Sequence, residues 1–197
     1  MSKVHRIIRW ALATVLVLAA AFTVPAVAAE VLFHDDFTGD LSRWFLDPST
    51  DGKPEYFSVE DGALVFAPVW FGNAFAGDPR WTDYALDAEF EVLEYGDWGN
   101  TRFFVRSISL WQGYGLSLTP DVLVFGRFDG NWDRYEIFRQ VNIGTPVGQR
   151  VAVRIEARGN QFKVFYNGEL VIEAEDPDGV YPMGRIGKPE EAAHMIC

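Results

Sequence analysis

Residues 158–176 constrain the fold of this chain more than any other segment. Asn167 and Gly168 are the preferred dipeptide of a type I′ turn, in which both central residues take φ > 0. Apolar and polar residues alternate on both sides of that turn and again in residues 151–157, and Gly159 with Asn160 supplies a second tight turn. The pattern therefore predicts three consecutive antiparallel strands, with one face made by Phe162, Val164 and Tyr166.

The rest of the chain consists of short alternating segments separated by turn residues, with no convincing amphipathic helix. Regularly spaced short strands of this kind are typical of two packed antiparallel sheets. We therefore predict an all-β fold, a two-sheet antiparallel β-sandwich that forms one domain over residues 30–187. The predicted strands before the hairpin are residues 31–37, 56–60, 63–67, 84–93, 102–108, 114–118, 122–127 and 134–139.

Three segments resemble one family of all-β domains. They are residues 33–37 followed by Trp44, residues 57–64, and the strand that ends in Tyr166 before the Asn-Gly turn. Over residues 31–187 they are similar to the laminin-G-like, concanavalin A-like jelly-roll domains of bacterial extracellular proteins. This family includes carbohydrate-binding modules, 3-keto-disaccharide hydrolase-type domains and family-16 glycoside hydrolases. The resemblance implies a jelly roll and leaves its chemistry open, because binders and enzymes share this fold.

Residues 1–29 have the organisation of a signal peptide. Lys3, Arg6 and Arg9 precede an apolar run at residues 10–22, and small residues follow Pro25. The alternative, an uncleaved membrane anchor, needs about 20 apolar residues, and this run is shorter. We therefore expect a secreted or periplasmic protein with no membrane partner after cleavage.

The charge of the chain favours a neutral partner. The formal net charge is −11, and removal of residues 1–29 takes it to −14 because that segment has three cations and no acid. Affinity for nucleic acid comes mainly from Lys and Arg, which contact the phosphates. We expect no nucleic-acid partner, and a poly- or oligosaccharide is the partner that the resemblance implies.

The C-terminal residues depart from the rest of the pattern. Cys197 is the only cysteine, which excludes an intramolecular disulfide. Residues 184–187 resemble the segment that precedes a last strand in the family, but residues 188–197 show no alternation. We therefore predict an irregular tail at residues 188–197 and a jelly roll that lacks its last strand.

Aromatic residues are the first indication of a ligand site. Six of the seven tryptophans lie beyond residue 29, and exposed aromatic rings bind the apolar faces of sugars. We predict that Trp44 belongs to the core. Trp98 and Trp132 lie in loops rich in Gly, Asp and Asn, where they either contact a ligand or fold back over a sheet edge.

A second indication lies at residues 102–106. This segment resembles the family strand that ends in an arginine on the concave sheet. Alternation places Phe103 and Val105 towards the core and Arg102, Phe104 and Arg106 on the opposite face. Arg127 and Tyr135 are candidates to extend the same ligand-binding surface. The alternative for the arginines of residues 102–106 is that they pair with acids of a neighbouring strand, namely Asp87, Glu89 and Glu91.

The acidic side of the longest alternating segment allows an enzymatic interpretation. The spacing of Glu89, Glu91 and Glu94 is similar to the catalytic strand of family-16 glycoside hydrolases. By that resemblance Glu89 would be the nucleophile and Glu94 the acid/base, although Glu91 replaces the expected Asp. A retaining mechanism needs the two carboxyl groups about 5–5.5 Å apart. The alternative is a solvated strand face with no catalytic residues.

Asp35 and Asp36 are candidate metal ligands. First-strand acids in similar sandwiches often bind Ca²⁺ together with an Asp of the last strand, so the resemblance implies calcium as a possible cofactor. The alternative is an ordinary exposed strand end. No His-based metal site or catalytic triad is indicated, because the histidines are scattered at positions 5, 34 and 194. Two main functions therefore remain, a glycan-binding module and a glycoside hydrolase of the family-16-like or 3-keto-disaccharide hydrolase-like type. Protein–protein adhesion through the same sandwich is a third alternative.

The signal-peptide pattern yields a direct prediction. We expect the exported protein to begin at Ala29 or Glu30, because small residues precede this point as in signal-peptidase sites. N-terminal sequencing of the exported protein checks this, and an intact Met1 or Ser2 would contradict it.

Overall fold

The structure is a computed structural model that describes residues 30–46, 57–66, 71–109, 111–131 and 133–196, with the side chains of 71–72, 96–98 and 188–196 left out. The chain divides into two units, Met1–Val31 and Leu32–Cys197. No described helix is long and apolar enough to cross a membrane.

The strands are Phe45–Leu46 (β1), Phe57–Glu60 (β2), Ala63–Phe66 (β3), Phe71–Ala76 (β4), Tyr84–Ser109 (β5), Gln112–Leu118 (β6), Leu123–Asp129 (β7), Tyr135–Val141 (β8), Arg150–Arg158 (β9), Gln161–Tyr166 (β10), Glu169–Glu175 (β11) and Arg185–Ile196 (β12).

The strands form an antiparallel β-sandwich of the jelly-roll type, which confirms the predicted fold class. The first sheet has the order β1-β4-β12-β5-β6-β7-β8, and the second has the order β5-β9-β10-β11. The 26-residue β5 belongs to both sheets. Its first part pairs with β9 from Tyr84 to Glu91, and its last part pairs with β6 from Thr101 to Ser109.

The predicted hairpin is present. Asn167 and Gly168 have φ values of 50° and 83°, as a type I′ turn requires. β10 pairs with β9 on one side and with β11 on the other. Burial alternates along β10, with Phe162, Val164 and Tyr166 buried.

The main core lies between the two sheets, because each inward-facing set of residues buries its apolar surface against the other. The first sheet contributes Phe103 and Val105 of β5, as predicted, together with residues of β6 and β7. The second sheet contributes Val151, Val153, Ile155, Ala157, Phe162, Val164, Ile172 and Ala174.

A smaller core lies under the N-terminal segment, where residues 31–37 do not form the predicted strand. Asp35 explains this, because its Oδ1 accepts a hydrogen bond from the Phe37 N–H at 2.9 Å and so closes a local turn. Its Oδ2 accepts a bond from Trp44 Nε1 at 2.8 Å. The Trp44 ring stacks on Phe37 and packs against this core, which confirms the placement of Trp44.

The predicted irregular tail at residues 188–197 is wrong for residues 188–196, and the last strand is not missing. β12 lies inside the first sheet, between β4 and β5, and reaches Ile196. The sandwich therefore extends beyond the predicted boundary at residue 187. The prediction was wrong because it relied on alternation of apolar and polar residues. Backbone hydrogen bonds to the neighbouring strands on both edges hold β12 in the sheet, and these bonds do not depend on an alternating side-chain pattern.

A buried ion pair joins the two sheets. Arg127 of β7 donates from Nη1 to Asp176 Oδ1 at 2.7 Å, and Tyr114 of β6 donates from its hydroxyl to Asp176 Oδ2 at 2.7 Å. Backbone N–H groups of Asp178 and Val180 donate to the same carboxylate. Burial alone would raise the pKa of Asp176, but these hydrogen bonds hold it below its ordinary value. We call this arrangement the Arg127–Asp176 clasp.

The hairpin turn gives a stability prediction. Gly168→Val should destabilise the protein by about 1–2 kcal/mol, because a side chain at positive φ clashes with the following carbonyl oxygen. A Cβ at Gly168 would meet no neighbour within 4 Å, so the backbone conformation is the only cause.

Gly39→Val is the matched control, since Gly39 is equally free of neighbours and has no positive φ. Urea unfolding of both variants measures the difference. An unchanged midpoint for Gly168→Val would contradict the role of the turn.

Candidate functional site

The first sheet has an outer face that points away from the main core. Arg102 and Phe104 lie on it, because Phe103 and Val105 point into the core. By the same alternation β6 contributes Ser117 to this outer face. The other members are Asn73, Phe75, Asn100, Gly115, Val124, Gly126, Phe128 and Gly187.

A row of glycines crosses this outer face. Gly187 of β12 is in register with Phe104 of β5, which is in register with Gly115 of β6 and then with Gly126 of β7. None of the three glycines has a positive φ. They are therefore not needed for backbone conformation, and the space above them explains their presence.

Aromatic rings fill that space. A Cβ at Gly115 would lie 2.9 Å from Phe128 and 3.1 Å from Phe104, and a Cβ at Gly187 would lie 2.6 Å from Phe75. A Cβ at Gly126 would lie 2.1 Å from the Glu136 carbonyl oxygen and 2.9 Å from the Tyr135 ring, so at this position the neighbouring backbone also excludes a side chain. The glycine row thus lets aromatic rings lie directly on the backbone of the sheet.

These rings contact one another. Tyr135 stacks on Phe128 with 4.0 Å between ring centroids and 14° between ring planes, and Phe104 lies 5.1 Å from Phe128. Trp111, in the turn between β5 and β6, lies 5.7 Å from Phe128.

Burial raises the pKa of Tyr135, whose hydroxyl donates to the Val124 carbonyl at 3.1 Å. Tyr135 is therefore neutral at physiological pH.

Arg102 lies beside these rings. Its guanidinium carbon is 5.3 Å from the centroid of Phe128 and 5.6 Å from that of Trp111, within cation–π distance. Its Nε donates to Ser117 Oγ at 3.0 Å, which fixes the plane of the group. Arg102, Trp111 and Tyr135 are all half-buried, so they combine a fixed position with access to solvent. We call these three residues the outer-face cluster.

The prediction that Arg106 lies on the outer face is wrong. Arg106 has φ of 50°, and the pairing with β6 is irregular after Val105. The alternation therefore breaks, and the Arg106 side chain points inward with 2% exposure. Its Nε donates to the Thr82 carbonyl at 2.8 Å and its Nη1 to the Gly159 carbonyl at 2.6 Å. Arg106 thus joins the first sheet to the β9–β10 turn.

Arg127 also lies away from the outer face. It has the same parity as the core residue Phe125 and forms the clasp with Asp176. Asp129 and Glu136 accept its other hydrogen bonds, at 3.1 and 2.7 Å. Although burial acts in the opposite direction, the hydrogen bonds and negative charges of Asp176 and Asp129 raise the pKa of Arg127. Of the arginines predicted for the ligand surface, the structure therefore places Arg102 alone beside Phe104 and Tyr135.

The two loop tryptophans of the sequence prediction have no described side chain. Trp132 lies outside the described residues, as does the side chain of Trp98, so their ligand contacts stay predictions. Trp111 is the residue that sequence reasoning missed. It follows the predicted strand at residues 102–108 and lies in the turn before β6, so its position between two predicted strands was the available signal.

The three glutamates lie on the earlier part of β5. Glu89 and Glu91 pair with Ala152 and Arg150 of β9 and flank the core residue Phe90, so they lie on the outer side of the second sheet. Glu94 is exposed and opposite His194 in register, and the pairing is irregular between Val92 and Glu94. Neither Glu89 nor Glu94 is buried in a cleft with the outer-face cluster. Asp87, the other acid of this part of β5, forms an ion pair with Arg154 of β9 at 2.6 Å.

The two candidate calcium ligands already accept hydrogen bonds from the protein. Asp35 binds Phe37 and Trp44, and Asp36 Oδ1 accepts bonds from the N–H and hydroxyl of Thr38 at 3.2 and 2.8 Å. In the described part of the chain, no group of three or more His, Cys, Asp or Glu is arranged to hold a metal. Calcium binding stays a prediction.

With this geometry established, sequence comparison assigns the family. Residues 28–193 match the profile of the 3-keto-alpha-glucoside-1,2-lyase-like domain. The chain belongs to this family. Comparison with curated proteins gives no significant match. The match spans both sheets of the sandwich and agrees with the jelly-roll family that the sequence resembles.

Solved structures similar to this 3-keto-alpha-glucoside-1,2-lyase-like domain share its fold. The carbohydrate-binding module CBM66 from Bacillus subtilis has a TM-score of 0.66 and 16% identity, covering 78% of this chain and 91% of that one. The potassium-bound Emp46p carbohydrate recognition domain has a TM-score of 0.59 and 14% identity, covering 84% and 90%. SCLam, a non-specific endo-beta-1,3(4)-glucanase of family GH16, has a TM-score of 0.57 and 13% identity, covering 82% and 78%.

The glycine row gives a prediction for this lyase-like domain. Gly115→Ala should destabilise it by about 1–3 kcal/mol, because the new methyl group would force Phe104 and Phe128 off the sheet. The near-UV circular dichroism of the aromatic rings should change at the same time. Gly39→Ala is the control, since its methyl group meets no neighbour. An unaltered aromatic spectrum in Gly115→Ala would contradict this account.

Proposed function

We propose that the protein is an extracytoplasmic carbohydrate-binding module that binds a poly- or oligosaccharide on the outer face of its first sheet. The observation that carries this proposal is the outer-face cluster, in which the Arg102 guanidinium lies over the rings of Trp111 and Phe128, and Tyr135 stacks on Phe128. An aromatic ring next to a fixed cationic donor suits a sugar, because the ring covers apolar C–H groups while the guanidinium binds hydroxyl oxygens.

The similar folds support this class of ligand. Two of the neighbours described above are named as carbohydrate-binding proteins and a third as a glucanase. The extracytoplasmic location rests on the signal-peptide pattern of residues 1–29. Among the residues predicted for the ligand surface, Arg102 and Tyr135 are half-buried members of the cluster. The prediction that Phe104 contacts a ligand is wrong, because its side chain is fully buried beneath the cluster.

A glycoside-cleaving enzyme is the second candidate, because the family is named for a lyase activity. Glu89 and Glu94 are the residues that the resemblance to family-16 hydrolases implies. Exposure of both carboxyl groups to solvent supports the binding module instead, since a catalytic pair acts in a site that excludes water.

Substitutions separate the two candidates. Arg102→Ala and Trp111→Ala should each weaken glycan binding by about 1–3 kcal/mol, the range for losing a charged hydrogen bond or a stacked ring. Arg154→Ala is the matched control, because Arg154 is a half-buried arginine on the second sheet. A glycan array identifies the ligand, and titration calorimetry then measures each variant.

The glutamate variants complete this test. Glu89→Gln and Glu94→Gln should leave binding unchanged, and the unmodified protein should release no reducing sugar from a β-glucan. Sugar release that disappears in Glu89→Gln would establish the enzyme and overturn the binding module, because loss of a nucleophile removes transition-state stabilisation.

A further inference from the structure

The turn of the β10–β11 hairpin contains a chemically labile pair of residues. Asn167 precedes Gly168, and both are exposed to solvent. A Cβ at Gly168 would meet no neighbour within 4 Å, so the space beside this residue is open. When glycine follows asparagine, its backbone nitrogen has unhindered access to the asparagine carboxamide, because glycine has no Cβ. The turn therefore has the chemistry of a spontaneous modification site.

The Asn167 side chain takes the place of a backbone acceptor in the second sheet. β9 and β10 pair in register as far as Val153 and Tyr166. One residue further, the Asn167 N–H donates to the Ala152 carbonyl at 2.8 Å, and the Ala152 N–H donates to Asn167 Oδ1 at 2.9 Å. A regular antiparallel pair would use a backbone carbonyl for the second bond, but Asn167 has φ of 50°, and its side chain supplies the acceptor. The carboxamide is thereby fixed to β9.

This bond holds the carboxamide away from the nitrogen that would attack it. β9 and β11 lie on opposite edges of β10. The Asn167 side chain reaches towards β9, whereas the Gly168 nitrogen belongs to the turn that leads into β11. Closure of a ring between that nitrogen and Asn167 Cγ therefore requires the bond from Ala152 to break.

We infer that Asn167 is a modification site that converts to aspartate and isoaspartate when the end of the hairpin opens, and that the Ala152 N–H···Oδ1 bond prevents this reaction in the closed hairpin. The inference is independent of carbohydrate binding. It assigns a chemical role to a hydrogen bond at the exposed end of the second sheet.

The reaction needs only water and hydroxide. In the open hairpin the Gly168 nitrogen gives its proton to hydroxide and attacks Asn167 Cγ. The Cγ–Nδ2 bond breaks, and the nitrogen leaves as ammonia with a proton from water. A cyclic imide remains, and water then cleaves one of its two C–N bonds. Cleavage on one side gives aspartate and on the other isoaspartate, with no change of oxidation state.

The two products affect the turn differently. Aspartate keeps a side-chain oxygen for the Ala152 N–H, and Asp-Gly is compatible with a type I′ turn. Isoaspartate routes the backbone through the former side chain and adds a methylene group before Gly168, so the backbone no longer has the length of a two-residue turn. The register of β10 with β11 depends on that turn. Isoaspartate therefore prevents the hairpin from closing again.

Peptide mapping by mass spectrometry after incubation at mildly alkaline pH tests the inference. Conversion of Asn167 in native buffer should be about tenfold or more slower than in concentrated urea, because ring closure waits for local opening. Asn160, which precedes Gln161 in the β9–β10 turn, is the internal control and should convert slowly in both conditions. Equal rates for Asn167 in native buffer and urea would overturn protection, and no conversion in urea would overturn the modification site itself.

Hydrogen exchange separates the Ala152 bond from general unfolding. In native buffer the rate of Asn167 conversion should follow exchange of the Ala152 amide, which reports the breaking of this bond. The amide of Val164, in the middle of β10, is the control for opening of the whole strand. Conversion that follows Val164 and not Ala152 would show that the bond is not the gate.

The effect on the turn has its own test. Asn167→Asp and the purified isoaspartate form carry the same added charge and differ only in the backbone of the turn. The melting temperature of Asn167→Asp should stay close to that of the unmodified protein, whereas the isoaspartate form should melt at a clearly lower temperature. Equal melting temperatures for the two forms would contradict the proposed damage to the hairpin.

Discussion

The Arg127–Asp176 clasp is the interaction on which the sandwich depends. The Asp176 side chain is fully buried and that of Arg127 is 8% exposed, so each charge has lost most of its hydration. Such a pair is favourable only when hydrogen bonds satisfy the remaining donors and acceptors. Tyr114 and two backbone N–H groups satisfy the carboxylate, and Asp129 and Glu136 satisfy the guanidinium. The clasp connects β6 and β7 of one sheet to the segment between β11 and β12, and so sets the distance between the layers.

Local sequence patterns were sufficient to predict part of this fold. The φ values of Asn167 and Gly168 follow from the residues themselves, and the inward direction of Phe103 and Val105 follows from simple alternation. Arg106 could not be placed in this way, because one left-handed residue reverses the alternation, and Arg is not a residue type that indicates positive φ. The position of Arg127 could not be predicted from local patterns either, because its buried partner Asp176 lies 49 residues away in the sequence.

The candidate site depends on a relation between residues that no single segment contains. Gly115, Gly126 and Gly187 are unremarkable in the sequence, and only the register of four neighbouring strands brings them into one row with Phe104. That row allows Phe128 and Tyr135 to lie flat, which in turn gives Arg102 a surface on which to rest. The composition of the chain indicated that aromatic rings contact the ligand. Which rings lie together could be known only from the pairing of the strands.

The position of β12 has a consequence for how the protein reaches its folded state. β12 follows every other described strand in the chain, yet it lies between β4 and β5 inside the first sheet. Until it arrives, β4 and β5 present unpaired backbone edges that other chains can join. Its pairing with β5 joins residues as far apart as Glu91 and Ile196, so closure of the sheet carries a large loop entropy and is slow. In a newly made chain the edges of β4 and β5 therefore stay exposed until β12 is available to pair with them.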